Sequence, residues 1–373
     1  MIYLDNAATA IPNGEAVKQA EKFLTQDFYN PSSLYRAGFS AHKAIEDARK
    51  FLLSRIASPA NFELIFTGSG SEGDNQALFC AAGRGNVVTT SGEHAAVYNS
   101  TKELSLRGTE VRYARLNADG SVDIDDLLSK VDEKTTLVSV IHVNNETGAV
   151  NDVNMLAAEV KKIAPSCVFH SDGVQAFGKI IFTLSPKIDL YTVSAHKIGG
   201  IRGIAALYKN KRLHLKPYIH GGGQENGLRS GTENTFAIKQ FEYAAADKFS
   251  SIGEDFARVS GYNSAVRDGL DKEIFSVLSS ENASPYILSV TAAGLRGEVL
   301  LHMLDDAGLM VGTGSACSSK NRYSRVMLAC GLNEKRADGV LRISFSPRNT
   351  QEEITGAIGI LNSCAAKLRE NTK

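Results

Sequence analysis

The chain has 373 residues, 43% hydrophobic and 22% charged, which is ample for a large core and for two domains or one large domain with an addition. Lysine plus arginine equals aspartate plus glutamate at 41 each, so no basic field points to nucleic acid or to an anionic membrane. The start Met1-Ile2-Tyr3-Leu4-Asp5-Asn6 lacks the basic and apolar segments of a signal peptide, and no uninterrupted apolar run reaches the ~18 residues of a membrane span.

In chain order, Tyr3 to Ala10 is a short apolar start followed by small residues, ending at Pro12-Asn13-Gly14. Apolar spacing predicts helices over Ala16–Phe28 and Phe39–Ile56, with Asn30-Pro31-Ser32-Ser33 as a loop. Strands and helices then alternate. Strands are expected at Glu63–Phe66, Asn86–Thr89, Val111–Leu116, Thr136–Val143, Cys167–His170, Ile188–Val193 and Ile204–Tyr208. Helices are expected at Glu72–Ala82, Ala95–Leu106, Asp125–Lys130 and Val153–Ile163. This rhythm predicts an α/β layer, a mostly parallel sheet with helices on both faces. Phe236–Val259 reads as one long helix bridging two domains. From about Gly261 the pattern becomes α+β, with strands Ile287–Val290 and Leu341–Phe345, helices Gly297–Ala307 and Glu352–Leu368, and a loop from Gly312 to Lys320.

Two stretches point to chemistry. Ser194-Ala195-His196-Lys197-Ile198-Gly199-Gly200 leaves a buried strand, where a lysine can reach over the strand ends that hold ligands in open α/β sheets. Lys197 beside a histidine and a serine suits a Schiff base with a phosphate-bearing aldehyde cofactor. Twenty-five residues earlier (197 − 172), Asp172 ends the preceding strand, where a carboxylate can keep a pyridinium nitrogen protonated; Gln175 can donate to the ring's phenolate oxygen. The ordinary reading of Asp172 is a helix cap.

Thr67-Gly68-Ser69-Gly70-Ser71 joins a strand to a helix and offers backbone N–H groups to a phosphate, to which Ser194 and His196 can add donors. His94 starts a helix and can stack on a flat ring or move protons, although a lone histidine is more often a cap. Asn144-Asn145-Glu146 follows a strand, so its amides face the ligand edge unless they only form an Asx turn. Arg342 precedes a β-like run and can clamp a carboxylate, against the alternative of a surface ion pair. The five cysteines, Cys80, Cys167, Cys317, Cys330 and Cys364, form no C-x-x-C pair, so neither a zinc site nor a disulfide framework is expected, and an odd number of thiols suits a reducing cytosol. Cys317 differs from the others in lying among small residues, Gly314-Ser315-Ala316-Cys317-Ser318-Ser319, as an accessible nucleophile would.

Taken together, these stretches resemble the pyridoxal-phosphate-dependent cysteine desulfurases of the class V aminotransferase type, and most the branch that feeds iron–sulfur cluster assembly. The likeness also includes His142-Val143-Asn144-Asn145-Glu146-Thr147-Gly148 and Arg229-Ser230-Gly231-Thr232-Glu233-Asn234, and it runs in family order over nearly the whole chain. It implies an aspartate-aminotransferase-like fold, PLP fold type I. A cofactor-binding large domain would span residues 15–250 with a seven-stranded sheet, and a smaller α+β domain would combine 1–14 with 251–373. It implies a cytoplasmic homodimer that takes L-cysteine, holds pyridoxal 5'-phosphate and no metal, and passes sulfur to an acceptor protein such as an iron–sulfur scaffold or toward transfer-RNA thiolation.

By the same resemblance Lys197 carries the cofactor and moves the α-proton, Asp172 pairs with the ring nitrogen and His94 stacks on the ring. Gly70, Ser71, Ser194 and His196 hold the phosphate, joined by Thr232 of the other subunit. Asn145 and Arg342 hold the substrate carboxylate, and Cys317 receives the sulfur. The alternatives are a selenocysteine lyase or another class V relative, and a degenerate cofactor-binding assembly partner. The sequence departs from the family's usual pattern in the phosphate turn, in Gly73 and Asp74 where serine and asparagine are usual, in Ile201, in Asn226 and in Tyr35.

Overall fold

The computed structural model describes residues 1–313 and 323–372. Its strands are β1 (Ile2–Tyr3), β2 (Phe62–Thr67), β3 (Asn86–Thr90), β4 (Glu110–Ala114), β5 (Thr135–Ser139), β6 (Val168–Asp172), β7 (Leu190–Ser194), β8 (Ala205–Asn210), β9 (Ser276–Val277), β10 (Ile287–Thr291), β11 (Leu309–Met310) and β12 (Val340–Ser344). Seven of them form one sheet in the order β2-β8-β7-β6-β5-β3-β4. Every pairing from β7 to β4 is parallel, and β8 runs antiparallel to both its neighbours.

Alternation along the strands feeds two separate cores, because successive side chains point to opposite faces. Ile65, Val87, Leu137, Val168, Leu190 and Leu207 pack on the helices Gly70–Ala81 and Ala95–Leu106. Phe66, Val88, Val138, Phe169, Val193 and Ala206 pack on the other face, against Arg36–Ile56, Val153–Ile163 and Thr235–Ser250. Parallel β6 and β7 therefore end at the same sheet edge, with Asp172 opposite Thr192 and Ser194 two residues further on.

A further core gathers around the antiparallel sheet β12-β10-β9 and the helices Ile252–Gly269, Gly297–Asp306 and Gln351–Thr372. The chain's start belongs to it, since β1 pairs with β11 and Leu4 is fully buried there. The start then crosses to the large sheet: Ala7 N–H donates to Ser344 Oγ, while Ala10 N–H donates to the His196 carbonyl and Asn13 N–H to that of Gly199.

Three elements differ from the sequence expectation. The long helix over 236–259 is two helices, Thr235–Ser250 and Ile252–Gly269, separated at Ser251 with φ −130° and ψ 17°. Serines compete for backbone hydrogen bonds, and the break falls where the chain leaves one core for the other. The helix over 16–28 is likewise split, into Gly14–Ala20 and Lys22–Thr25, and starts at Asn13, whose side chain accepts from the N–H groups of Glu15 and Ala16. The strand over 136–143 ends at Ser139, after which Val140 and His142 N–H groups still donate to the His170 and Asp172 carbonyls. No described helix is long and apolar enough to cross a membrane.

Candidate active site

A cavity of about 320 Å³ opens where the large sheet meets the start of the chain, lined among others by Gly70, Ser71, Asp74, His94, Asn145, Asp172, Gln175, Ser194, His196, Lys197 and Arg342. Lys197 follows β7 in a short 3₁₀ turn, Ala195–Lys197. Its Nζ donates to the carbonyls of Ala7 and Ala8 at 2.7 and 2.8 Å, so backbone from the other core orients the amine. Gln175 is held from both ends: its Nε2 donates to Ala7 O at 2.9 Å, and its Oε1 accepts from the buried Lys179 at 2.6 Å.

At one end of the cavity Ser69 caps the helix Gly70–Ala81, accepting from Glu72 N–H at 3.1 Å, which leaves the first N–H groups of that helix facing the cavity wall. His196 lies beside them with its Nδ1 bonded to Thr9 Oγ1 at 2.9 Å. Burial, and then the nearby lysines, lowers the His196 pKa to about 4, so its ring is neutral and an anion there relies on N–H and O–H donors.

The middle of the cavity is acidic. Asp172 Oδ1 accepts from Val174 N–H at 2.9 Å, which closes a local turn where a helix cap was expected, since no helix follows, and Asp172 faces the cavity as well. Gly173 lets it do so: a Cβ there would stand 1.9 Å from the ring of the buried Tyr191. His94 also fills its ordinary role, with Nδ1 accepting from Ala96 N–H at 3.2 Å at a helix start. Burial lowers its pKa, so the neutral ring carries its proton on Nε2. Oxygen atoms of Asp74 and Asp172 and a ring nitrogen of His94 lie within 4.8 Å of one another. Burial raises Asp172 above its ordinary value, partly offset by His94, the Val174 N–H and Lys197.

The opposite end is basic. Arg342, on β12, donates to Asn145 O at 2.9 Å and to Asp5 Oδ1 at 2.8 Å. The Asx turn expected here belongs to Asn144, whose Oδ1 accepts from the N–H groups of Glu146 and Thr147, leaving Asn145 in the cavity wall. Glu146 is pushed up to about 7 by burial, against the pull of its bond from Ser324 and of Arg342 and Arg325.

The residues fit a flat cofactor with a phosphate at one end and a carboxylate substrate at the other. Among the described residues, the buried side-chain atoms without a hydrogen-bond partner include Asp74 Oδ1, Asn145 Oδ1 and Arg342 Nε, all in this one cavity wall. Each such atom costs about 1–3 kcal/mol in a closed protein, so three together mark a surface complementary to a polar ligand.

Of the site residues expected from sequence that are described, one is not in this wall. Thr232 lines a separate hollow of about 180 Å³ with Arg229 and Glu233. Cys317 lies outside the described residues. Sequence reasoning missed the Ala7 and Ala8 carbonyls, which have no side-chain signature, and it noted Asp74 only as a departure from pattern. Glu93, buried behind the wall and raised to about 8 by burial, belongs to the Glu93-His94 stretch of the family likeness but was given no role from sequence.

The profile of the aminotransferase class-V family matches residues 2–356. A protein of Gluconacetobacter diazotrophicus named cysteine desulfurase is 35% identical, over 99% of this chain and 94% of its own length. One of Archaeoglobus fulgidus, named cysteine desulfurase IscS 1, is 34% identical over 99% and 98%. Among solved structures, a NifS-like protein superposes with a TM-score of 0.92 at 31% identity, covering 98% of this chain and 100% of its own. SspA, solved in complex with cysteine, gives 0.81 at 28% identity over 94% and 100%. A match of this extent means that the chain belongs to the class-V aminotransferase family.

Proposed function

We propose that this protein is a cysteine desulfurase, which converts L-cysteine to L-alanine and leaves the sulfur as a persulfide on Cys317. The observation that carries the reading is the single cavity wall in which Lys197, Asp172 and Arg342 converge, in a chain about a third identical to proteins of that name over its whole length.

The cofactor is pyridoxal 5'-phosphate, which when bound supplies an aldehyde for the substrate amine and a ring that takes up the electron pair of a broken Cα–H bond. Lys197 would hold that aldehyde, give it up to the substrate amine, and then take the α-proton on Nζ; the Ala7 and Ala8 carbonyls, accepting its N–H groups, set the direction of transfer. Asp172 would keep a proton on the ring nitrogen. Neutral His94 would stack on the ring and return protons through Nε2. Gly70 and Ser71 N–H groups, with Ser194 and His196, would hold the phosphate, and Gln175 Nε2 would donate its second hydrogen to the ring oxygen. Arg342 Nε and Asn145 would bind the substrate carboxylate. The Cys317 thiolate would form an S–S bond with the substrate sulfur as the Cβ–S bond breaks; the electron pair passes to carbon, which takes a proton and leaves as alanine.

In the same reading the protein is a cytoplasmic homodimer whose partner subunit completes the phosphate site with Thr232, and the persulfide serves iron–sulfur assembly or transfer-RNA thiolation through an acceptor protein. The relatives' IscS names support the first of these destinations. The large and small domains would divide at residues 15–250 against 1–14 with 251–373, as the separate cores support.

The test measures alanine and sulfide together from L-cysteine, with a reductant present. The wild type is expected to release them in equal amounts. Cys317→Ala is expected to keep the cofactor's visible absorption and lose sulfide release; unchanged turnover in that variant would refute the proposal. Faster alanine release from selenocysteine, retained in Cys317→Ala, would point to the lyase instead.

A further inference from the structure

Asp74 takes no part in the scheme above, although it lines the same cavity. It is 1% exposed, and its Oδ1 has no hydrogen-bond partner. It lies in the first turn and a half of the helix Gly70–Ala81, one residue after Gly73. A Cβ at Gly73 would stand 3.0 Å from Thr192 Cγ2, so glycine lets this part of the helix settle on β7. Gly73 and Asp74 are neighbouring departures from the usual pattern, and the first fosters the close approach that buries the second.

We propose that Asp74 and Asp172 share a single proton, and that Asp74 keeps it as a neutral carboxyl whenever Asp172 is ionised toward the ring nitrogen. Asp74 is then a positioning residue that acts through Asp172. The inference rests on the assignment of Asp172 made above.

The geometry leaves Asp74 no other way to be accommodated. Two carboxylates with oxygens within 4.8 Å of each other in a buried site cannot both ionise without strong repulsion. The groups facing Asp74 from the surrounding elements are Asp172 and His170 on β6, Thr192 on β7, and Glu93 and His94 from the turn after β3. None supplies a positive charge. His170 Nε2 lies 3.6 Å from Asp74 Oδ1, but it is bonded to Thr192 Oγ1 at 3.0 Å, its Nδ1 is bonded to Ser139 Oγ at 2.9 Å, and burial lowers its pKa to about 3. Burial, then Asp172, raises Asp74 well above the ordinary carboxylate range, with Thr192 opposing and Glu93 adding. A neutral carboxyl has the shape and hydrogen-bonding capacity of the asparagine usual at this place, with one difference: its proton can be lost.

The proposal is tested by infrared spectroscopy on the purified full-length chain, with and without added pyridoxal 5'-phosphate, as pH is raised. The wild type is expected to show the C=O stretch of a protonated carboxyl well above the ordinary carboxylate range. That signal should be lost in Asp74→Asn and retained in Glu93→Gln and Glu146→Gln, which remove the two other raised acids. In Asp172→Asn the Asp74 signal should titrate away at a pH lower by about one unit or more, because the neighbouring negative charge is gone. With cofactor bound, the visible spectrum of Asp74→Asn should match the wild type at neutral pH and lack its alkaline titration step. A carboxylate band missing from Asp74→Asn in place of a carboxyl band, or an unmoved titration in Asp172→Asn, overturns the proposal. If Asp74→Asn reduces the folded yield, the Asp172→Asn comparison decides alone. The signal without cofactor requires no turnover, so a failed desulfurase reading would show in the alanine and sulfide assay and leave it untouched.

Discussion

In the middle of the cavity Asp74 and Asp172 stand beside His94, with Glu93 buried behind the wall, and burial raises the pKa of each of the three acids. At the other end, Arg342 meets Asn145 and Asp5, with Glu146 also in the wall and Arg325 near it. The acidic region holds more carboxyl groups than it can hold charges, so its working variable is where protons sit. The basic region holds a permanent cation with one donor unsatisfied, so its working variable is whether an anion occupies it. A reaction that moves a proton at the ring and anchors a carboxylate beside it needs both kinds of environment within one hollow.

The sharpest way to break this comparison is at the group between the two regions. Lys197→Ala is expected to lose the cofactor's visible absorption band and to lower turnover on the order of 10⁴-fold or more, since carrier and base go together. An unaltered spectrum would remove Lys197 from the scheme. The next largest effect falls on the basic end. Arg342→Ala should raise KM for L-cysteine about 10²-fold while leaving the absorption band in place, as expected for loss of a buried charge-assisted clamp. An unchanged KM would show that the carboxylate binds elsewhere.

A smaller effect separates the two regions by pH. Glu146 carries a proton in the folded chain up to about pH 7, whereas the unfolded chain releases it in the ordinary carboxylate range. Its contribution to stability is therefore complete at low pH and is lost as pH rises toward 7. Glu146→Gln should flatten that slope by on the order of 2 kcal/mol in denaturant unfolding measured at a series of pH values. His142, lowered by burial to about 4, works in the opposite sense, its contribution falling away as pH drops from the ordinary histidine range. The smallest effect belongs to the helix start at the phosphate end. Ser69→Ala should cost about 1 kcal/mol of stability, read as a lower Tm, and leave KM for L-cysteine unaltered.

Much of the site was legible because strand ends are legible. A β-branched run that turns polar marks a strand tip, and the residues at such tips, Asp172, Ser194, His196 and Lys197, do line one cavity. The ordinary reading held for His94, which caps a helix N–H, whereas Asp172 closes a turn where a helix cap was expected; both also face the cavity, because a side chain with two polar atoms can do both. The Asx turn was assigned to a stretch and proved to be the work of Asn144 alone, which frees Asn145. The long helix was misread because periodicity continues across Ser251 although the two halves bury their apolar faces in different cores.

By itself the sequence determined the alternation of strands and helices, the parallel sheet that follows from it, and the polar residues at the strand tips, since these depend on side-chain period and local backbone preference. Only the tertiary structure decided that Ala7 and Ala8 carbonyls hold Lys197, that Asp74 lies beside Asp172, and which acids are buried deeply enough to keep their protons. Those outcomes arise from desolvation and from contacts between segments far apart in the chain, and neither quantity is written in any local run of residues.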